Sequence, residues 1–224
     1  MKDAPLLEAR GVGRRASGDE GWLLRDVSLT LAAGERLAVV GPSGAGKSLL
    51  LRSLALLDPV DRGEILWRGE RVADDDVPAF RRDLVYLHQR PALFEGTVVD
   101  NLRRPLSLSA CGGRGWDRQR ILGWLDPLGR DAAFLDKRST DLSGGEAQIA
   151  AFLRAIQLDP RGLLLDEPTA ALDATAAAAL ETLVDRWFGE RAGERALVWV
   201  SHDAGQAERA SDRIVRLEAG RIAA

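Results

Sequence analysis

The stretch RLAVVGPSGAGKSLLLRSLALL, Arg36 to Leu57, decides how this chain is read. RLAVV is a short apolar run of the kind that forms a buried strand, and LLLRSLALL reads as a helix. Between them GPSGAGKS, Gly41 to Ser48, fits G-x-x-x-x-G-K-[ST] in the strand-to-helix context that this pattern requires. Gly41, Gly44 and Gly46 let backbone N–H groups converge on phosphate oxygens, and a helix beginning near Lys47 adds the positive end of its dipole. Lys47 is expected to reach the β- and γ-phosphates and Ser48 to hold Mg²⁺. Pro42, Ser43, Ala45 and Leu49 lie in the same loop and helix start and are counted with the nucleotide-contacting residues. The chain has three lysines, Lys2, Lys47 and Lys137, against twenty-eight arginines. A composition that otherwise favours arginine thus has lysine where a compact point charge is needed.

A second apolar run, Leu163 to Leu165, ends in Asp166 and Glu167 within LLLDEPTAALD. This arrangement puts two carboxylates at the carboxyl edge of a parallel sheet, where nucleotides bind. Asp166 is expected to hold Mg²⁺, through water, and Glu167 to polarise an attacking water. An Asp-Glu pair after a strand is by itself most simply a solvated turn; the preceding glycine loop reverses that preference. LSGGE, Leu142 to Glu146, lies twenty residues before the strand and opens a helical stretch, EAQIAAFLRAIQL.

These motifs, in this order, resemble those of the ATP-binding-cassette ATPases, and the resemblance covers roughly Leu6 to Ile222. It implies an α/β P-loop NTPase fold: a RecA-like core with a parallel sheet, an N-terminal antiparallel β layer and an inserted helical subdomain. It implies ATP and Mg²⁺ as cofactors. Two cassettes of this family pack head to tail, so Ser143, Gly144 and Gly145 of one copy would contact the γ-phosphate held by the other. Gln89, after LVYLH, is similar to the glutamine that senses Mg²⁺ and the nucleophilic water and links the site to a membrane partner. His202, after ALVWVS, is similar to the histidine that contacts the γ-phosphate, and Asp173 falls in the loop that communicates between sites. The catalytic set is then Glu167, His202, Gln89 and Lys47, and the metal set Ser48, Gln89 and Asp166. His88 reads as a strand-end residue without a catalytic role.

The chain departs from the family pattern in places. The aromatic residue that usually stacks on adenine would fall in RRASGDEG, Arg14 to Gly21, where there is none; Trp22 is the nearest, as a substitute or as a packing residue. The signature ends in Glu146 where glutamine is commoner, and Gln148-Ile149 replaces the usual Gln-Arg.

With 224 residues, 46% hydrophobic and 29% charged, the chain is expected to form a single nucleotide-binding domain over 1–224. Its core and β layer take about 1–89 and 158–224, and the helical subdomain about 90–157. Net charge is −3 with acids and arginines interspersed, so no basic stripe argues for a nucleic-acid partner. No window approaches eighteen uninterrupted apolar residues, and MKDAPLLEARG has no signal-peptide pattern. Cys111, the single cysteine, forms no intramolecular disulfide and reads as a free thiol in a flexible loop.

Strand patterns fall at 6–12, 25–31 and 64–67 for the antiparallel layer, and at 36–40, 85–87, 162–165, 196–201 and 213–218 for the core. ATAAAALETLVDRWF reads as a helix capped by Asp173, with Leu180, Leu183, Val184 and Trp187 on one face.

About fifty residues separate Gln89 from the signature, the spacing of a transporter cassette rather than of chromosome-maintenance relatives, which insert a long coiled coil there. The expected partners are a second copy of the chain and a polytopic permease encoded separately. This places the chain at the cytoplasmic face of the plasma membrane. In RPALFEGTVVDNL, Leu93, Phe94 and Val98 are either an apolar contact for the permease or internal core of the helical subdomain. HQRPALFEGTVVDNLRRP, LWRGE and LVWVSHD are similar to the FetA type of iron-export subunit, which implies a FetB-like permease. The alternatives are another importer or exporter, of amino acids, phosphate, lipoprotein or peptides, or a soluble cassette ATPase of the iron–sulfur assembly kind.

Overall fold

The computed structural model describes residues 4–16, 18, 21–113 and 115–223. In chain order the elements are β1 (Leu7–Arg15), β2 (Trp22–Leu31), β3 (Arg36–Val40), α1 (Lys47–Leu54), β4 (Arg62–Trp67), β5 (Glu70–Arg71), α2 (Val77–Asp83) and β6 (Leu84–Leu87). They continue with α3 (Val98–Arg103), α4 (Arg118–Leu125), α5 (Gly144–Ile156), β7 (Gly162–Asp166), α6 (Ala174–Gly189), β8 (Ala196–Val200), α7 (Ala204–Ala210), β9 (Arg213–Glu218) and β10 (Arg221–Ile222). Short 3₁₀ turns fill much of the span between α3 and α5.

The chain divides into two compact units, the first comprising Met1–Tyr86, Arg161–Glu167 and Ala192–Ala224. It holds two sheets. One has the order β2-β1-β4-β5, with antiparallel pairing throughout. The other has the order β10-β9-β3-β8-β7-β6, in which β3 pairs parallel with β8 and β9, and β7 with β8. Strands β7 and β8 are buried at every position, so they read as continuous apolar runs rather than as alternation. Leu24 and Val27 from the antiparallel layer, Leu50, Leu51 and Leu54 from α1, and Leu37, Leu164, Val198 and Leu217 from the parallel sheet join one apolar cluster. Packing α1 on this cluster holds the strand-to-helix turn above the sheet edge. The two-residue strands β5 and β10 carry too little pattern to be predicted from sequence.

The second unit comprises Leu87–Pro160 and Pro168–Arg191 and is helical. Its helices are capped by their own sequence. Thr97 and Asp100 form a reciprocal capping box on α3, Asp117 caps α4, and Asp173 Oδ1 accepts the Ala176 N–H at 2.8 Å to start α6. Leu180, Leu183, Val184 and Trp187 of α6 are all buried, the face that their spacing predicts. Asn101, fully buried, donates to the carbonyls of Phe94 and Thr97 and accepts the Phe94 N–H, which fixes the segment before α3. Val98 is fully buried and so belongs to the core, whereas Leu93 is half-buried and Phe94 is 47% exposed. Cys111 is also buried, at the end of a 3₁₀ turn, which corrects the flexible-loop reading.

Replacing Leu164 by alanine removes buried methyl groups from the middle of β7 and leaves a cavity. The expected loss is about 2–5 kcal/mol of unfolding free energy, read as a lower midpoint in urea with an unchanged slope.

Candidate active site

The turn after β3 is built by close approach of backbone to backbone. Gly41 has φ 148°, and a Cβ there would sit 2.1 Å from the Leu217 carbonyl oxygen of β9. Gly46 has φ 101° and lies against the Leu23 carbonyl, where a Cβ would stand 3.1 Å away. The Gly220 N–H donates to the Ala45 carbonyl at 3.0 Å, tying the turn to the β9–β10 hairpin. Pro42, Ser43 and Gly44 are exposed, Ser48 and Leu49 half-buried. The first turn of α1 has no side-chain cap and no carboxylate, so its N–H groups favour an anion. Lys47 is 6% exposed, and its ammonium donates to the carbonyls of Gly41 at 2.8 Å and Pro42 at 3.0 Å. Burial pulls the lysine below its usual pKa, and the negative charges of Glu167 and Asp166 oppose that shift.

Those two carboxylates stand at the carboxyl end of β7. Asp166 is 1% exposed; Oδ2 accepts the Tyr86 hydroxyl at 2.9 Å, and Oδ1 is buried with no hydrogen-bond partner. A buried carboxylate oxygen without a partner suits a hydrated divalent cation, and a half-buried serine hydroxyl is an oxygen donor of the kind such an ion takes, so Asp166 and Ser48 fit Mg²⁺ by their chemistry. Glu167 has φ 48°, a left-handed conformation that is unfavourable for glutamate, and its N–H is held by the Val200 carbonyl at 3.1 Å. Its carboxylate contacts His202 Nε2 through Oε1. The imidazole follows β8 on a braced loop. Ser201 Oγ donates to Gln206 Oε1 at 2.7 Å and accepts the Asp203 N–H at 3.0 Å, and Asp203 Oδ1 accepts the N–H groups of Gly205 and Gln206 to cap α7.

The first unit therefore brings together the turn and helix start over residues 41–49, Asp166, Glu167 and His202. The remaining sequence-predicted residues lie in the second unit. Gln89 is exposed, in a bend after β6, and the neighbouring His88 Nδ1 accepts the Arg90 N–H at 2.9 Å. Ser143 and Gly144 are exposed at the start of α5. Ser143 Oγ accepts the Glu146 N–H and Glu146 Oε2 accepts the Ser143 N–H, each at 3.2 Å. A Cβ on Gly145 would lie 3.1 Å from the Ala171 carbonyl oxygen and 3.0 Å from Leu172 Cδ2, so this glycine lets the signature loop rest on the segment that leads to Asp173.

Comparison with known proteins agrees with this geometry. The family model described as ABC transporter matches residues 24–170. The chain belongs to the ABC transporter family. It is an ATP-binding subunit and an ATPase of that family. It is 34% identical over 218 residues to the probable iron export ATP-binding protein FetA of Escherichia coli, covering 97% of this chain and 93% of that protein. It is 37% identical to Protein STAR1 of rice, again over 97% of this chain, but it spans only 62% of that longer protein. Further relatives carry the names of phosphate and sulfate/thiosulfate import ATP-binding proteins. A solved dimeric ATP-binding cassette in a post-hydrolysis state, bound to ADP and Pi, superposes with a TM-score of 0.86 at 28% identity, covering 97% of both chains.

Within the cassette, three features escaped sequence reasoning. Tyr86 holds Asp166, and Asp203 and Gln206 brace the loop that carries His202, yet a lone tyrosine on a strand or a glutamine on a helix carries no motif. Trp22 has guanidinium groups of Arg15 and Arg62 4.9 Å from its ring, and a Cβ on Gly13 would stand 2.7 Å from it. These contacts are those of a packing residue. Ser17, Asp19 and Glu20, from the stretch in which the adenine-stacking aromatic was sought, lie outside the described residues. Glu146 Oε1 meets Lys137 Nζ at 2.8 Å and Arg130 at 3.3 Å, so the acid that replaces the commoner glutamine is matched by two cations. Those cations, the Lys137 hydrogen bond foremost, and the Ser143 N–H hold its carboxyl below the usual glutamate range. Ile149 is 1% exposed, a core position.

Gly41→Ala forces a side chain into the Leu217 carbonyl and strains φ. Strain of about 1–3 kcal/mol at this one residue, if taken from the bound state, corresponds to about a 5- to 140-fold loss of nucleotide affinity, measurable with a fluorescent ATP analogue.

Proposed function

We propose that two copies of this cassette close head to tail around two ATP molecules and drive substrate through a separately encoded membrane permease, with metal export as the transported class. The observation that carries the hydrolytic part is the meeting of Glu167 and His202 beside the buried Lys47. In that arrangement the turn's N–H groups and Lys47 hold the β- and γ-phosphates, and Lys47 offsets the charge that develops on the transferred phosphoryl group. Glu167 accepts the proton of the attacking water, and His202, braced through Ser201 and Gln206, orients that carboxylate and reaches toward the γ-phosphate. Ser48 and, through water, Asp166 would hold Mg²⁺, which when bound would supply charge neutralisation to the phosphates. Ser143, Gly144 and Gly145 complete the site of the partner copy, and Asp173 lies at the seam between the two sites.

Exposure of Ser143 and Gly144 at a helix start supports the head-to-tail arrangement, since these groups are free to meet a phosphate from outside the chain. Among the described residues no helix is long and apolar enough to cross a membrane. Phe94 supports the docking of the permease. It is exposed, lies 4.0 Å from the Arg104 guanidinium and 5.7 Å from that of Arg154, and is carried on the segment that Asn101 holds rigid. Similarity to an iron export subunit over nearly the whole of both chains supports metal as cargo. Docking through Phe94 at the permease keeps the cassette at the cytoplasmic face of the membrane.

Glu167→Gln is expected to keep ATP affinity while lowering turnover by roughly a hundredfold or more, with an ATP-dependent dimer accumulating on gel filtration. Wild-type turnover in this variant would remove Glu167 from its role. Phe94→Ala should leave ATP binding intact and reduce recovery of a polytopic permease from detergent-solubilised membranes; recovery of soluble partners alone would exclude the transporter reading.

A further inference from the structure

Tyr86 sits in β6, beside β7 in the order of the sheet, and its hydroxyl stands 2.9 Å from Asp166 Oδ2. The same hydroxyl is hydrogen-bonded by Arg52 of α1, and Arg52 Nε is held by Asp58 Oδ2 at 2.7 Å. Guanidinium groups only donate, so the phenol oxygen accepts from Arg52 and its proton is committed to Asp166. The result is a fixed chain, Asp58 to Arg52 to Tyr86 to Asp166, that runs from the end of the phosphate-binding helix to the carboxylate on the neighbouring strand.

The chain dictates which oxygen of Asp166 is available. A carboxylate that is 1% exposed has a small number of possible orientations, and Tyr86 secures Oδ2 in one of them. Oδ1 is left as the buried oxygen without a protein partner. We propose that Tyr86, held by Arg52, is the positioning residue that presents Asp166 Oδ1 to the Mg²⁺ hydration shell and thereby sets the cassette's affinity for the metal. This rests on Asp166 being the carboxylate that serves Mg²⁺. A phenol is suited to the task because it donates one hydrogen bond without adding charge. A polar group that orients a metal-serving carboxylate typically changes metal affinity 10–100-fold when removed.

The test titrates MgCl₂ against the full chain with a fluorescent ATP analogue, in Tyr86→Phe, Arg52→Gln, Asp166→Asn and wild type, with EDTA as the metal-free reference. Tyr86→Phe should raise the half-saturating Mg²⁺ concentration about 10- to 100-fold, while affinity in EDTA stays within about twofold and the ATPase midpoint in Mg²⁺ moves in parallel. Arg52→Gln keeps the hydroxyl and loosens it, so a smaller shift of the same sign is expected; it stands in if the phenylalanine variant folds poorly. An unmoved Mg²⁺ midpoint in both, with Asp166→Asn shifted, overturns the role of Tyr86 alone. If Asp166→Asn is also unmoved, the assignment of Asp166 to Mg²⁺ fails and the inference fails with it. A loss of affinity in EDTA as large as that in Mg²⁺ marks Tyr86 as merely structural and overturns the proposal.

Discussion

Keeping an ammonium and two carboxylates out of water at one sheet edge is the constraint on which the first unit depends. Lys47 is 6% exposed, Asp166 1%, and the Glu167 side chain 15%. Ionic groups with so little solvent must be hydrogen-bonded or paired, or they are strongly destabilising. Each therefore recruits a neighbour: loop carbonyls for Lys47, Tyr86 for Asp166, His202 for Glu167. The neighbours in turn need anchors, which are supplied by Arg52 from α1 and by the Ser201–Gln206 brace from α7. What looks like a list of separate motifs is one electrostatic problem solved across β3, β6, β7 and β8.

Parts of the chain whose role follows from local pattern were legible in the sequence. A glycine-rich turn between an apolar strand and a helix has few other uses, and strands buried on both faces declare themselves as unbroken runs such as LLL before Asp166. Asp173 could be placed as a cap because capping is a contact between residues three apart. Tyr86 could not, since its partner is eighty positions away and a tyrosine on a half-buried strand satisfies the same pattern by packing. The same holds for Gln206, whose amide matters through Ser201 and Trp199. Val98 was ambiguous because an apolar residue in a short helix faces core or solvent according to tertiary packing alone. Residues 168–191 grouping with the helical unit, although they follow β7 directly, is likewise information that chain order does not contain.

The second unit solves a different problem, the orientation of a loop with almost no side chains of its own. Ser143, Gly144 and Gly145 gain direction from the reciprocal bonds between Ser143 and Glu146, and Glu146 gains it from Lys137 and Arg130. An acid at this position suits a chain in which cations were placed to meet it. Backbone at Ala171 limits the other side, where only glycine leaves room.

The three lysines are unequal in a way that matters outside the cell. Lys47 is enclosed by its own turn, whereas the Lys137 side chain is 46% accessible although it binds Glu146. Amine-directed chemistry, whether a fluorescent ester or a biosensor surface, therefore has few places to act on a protein whose remaining cations are arginine. Acylation at Lys137 would strip the charge from the group that steadies the signature loop, so conjugation there is a chemical perturbation of one specific contact.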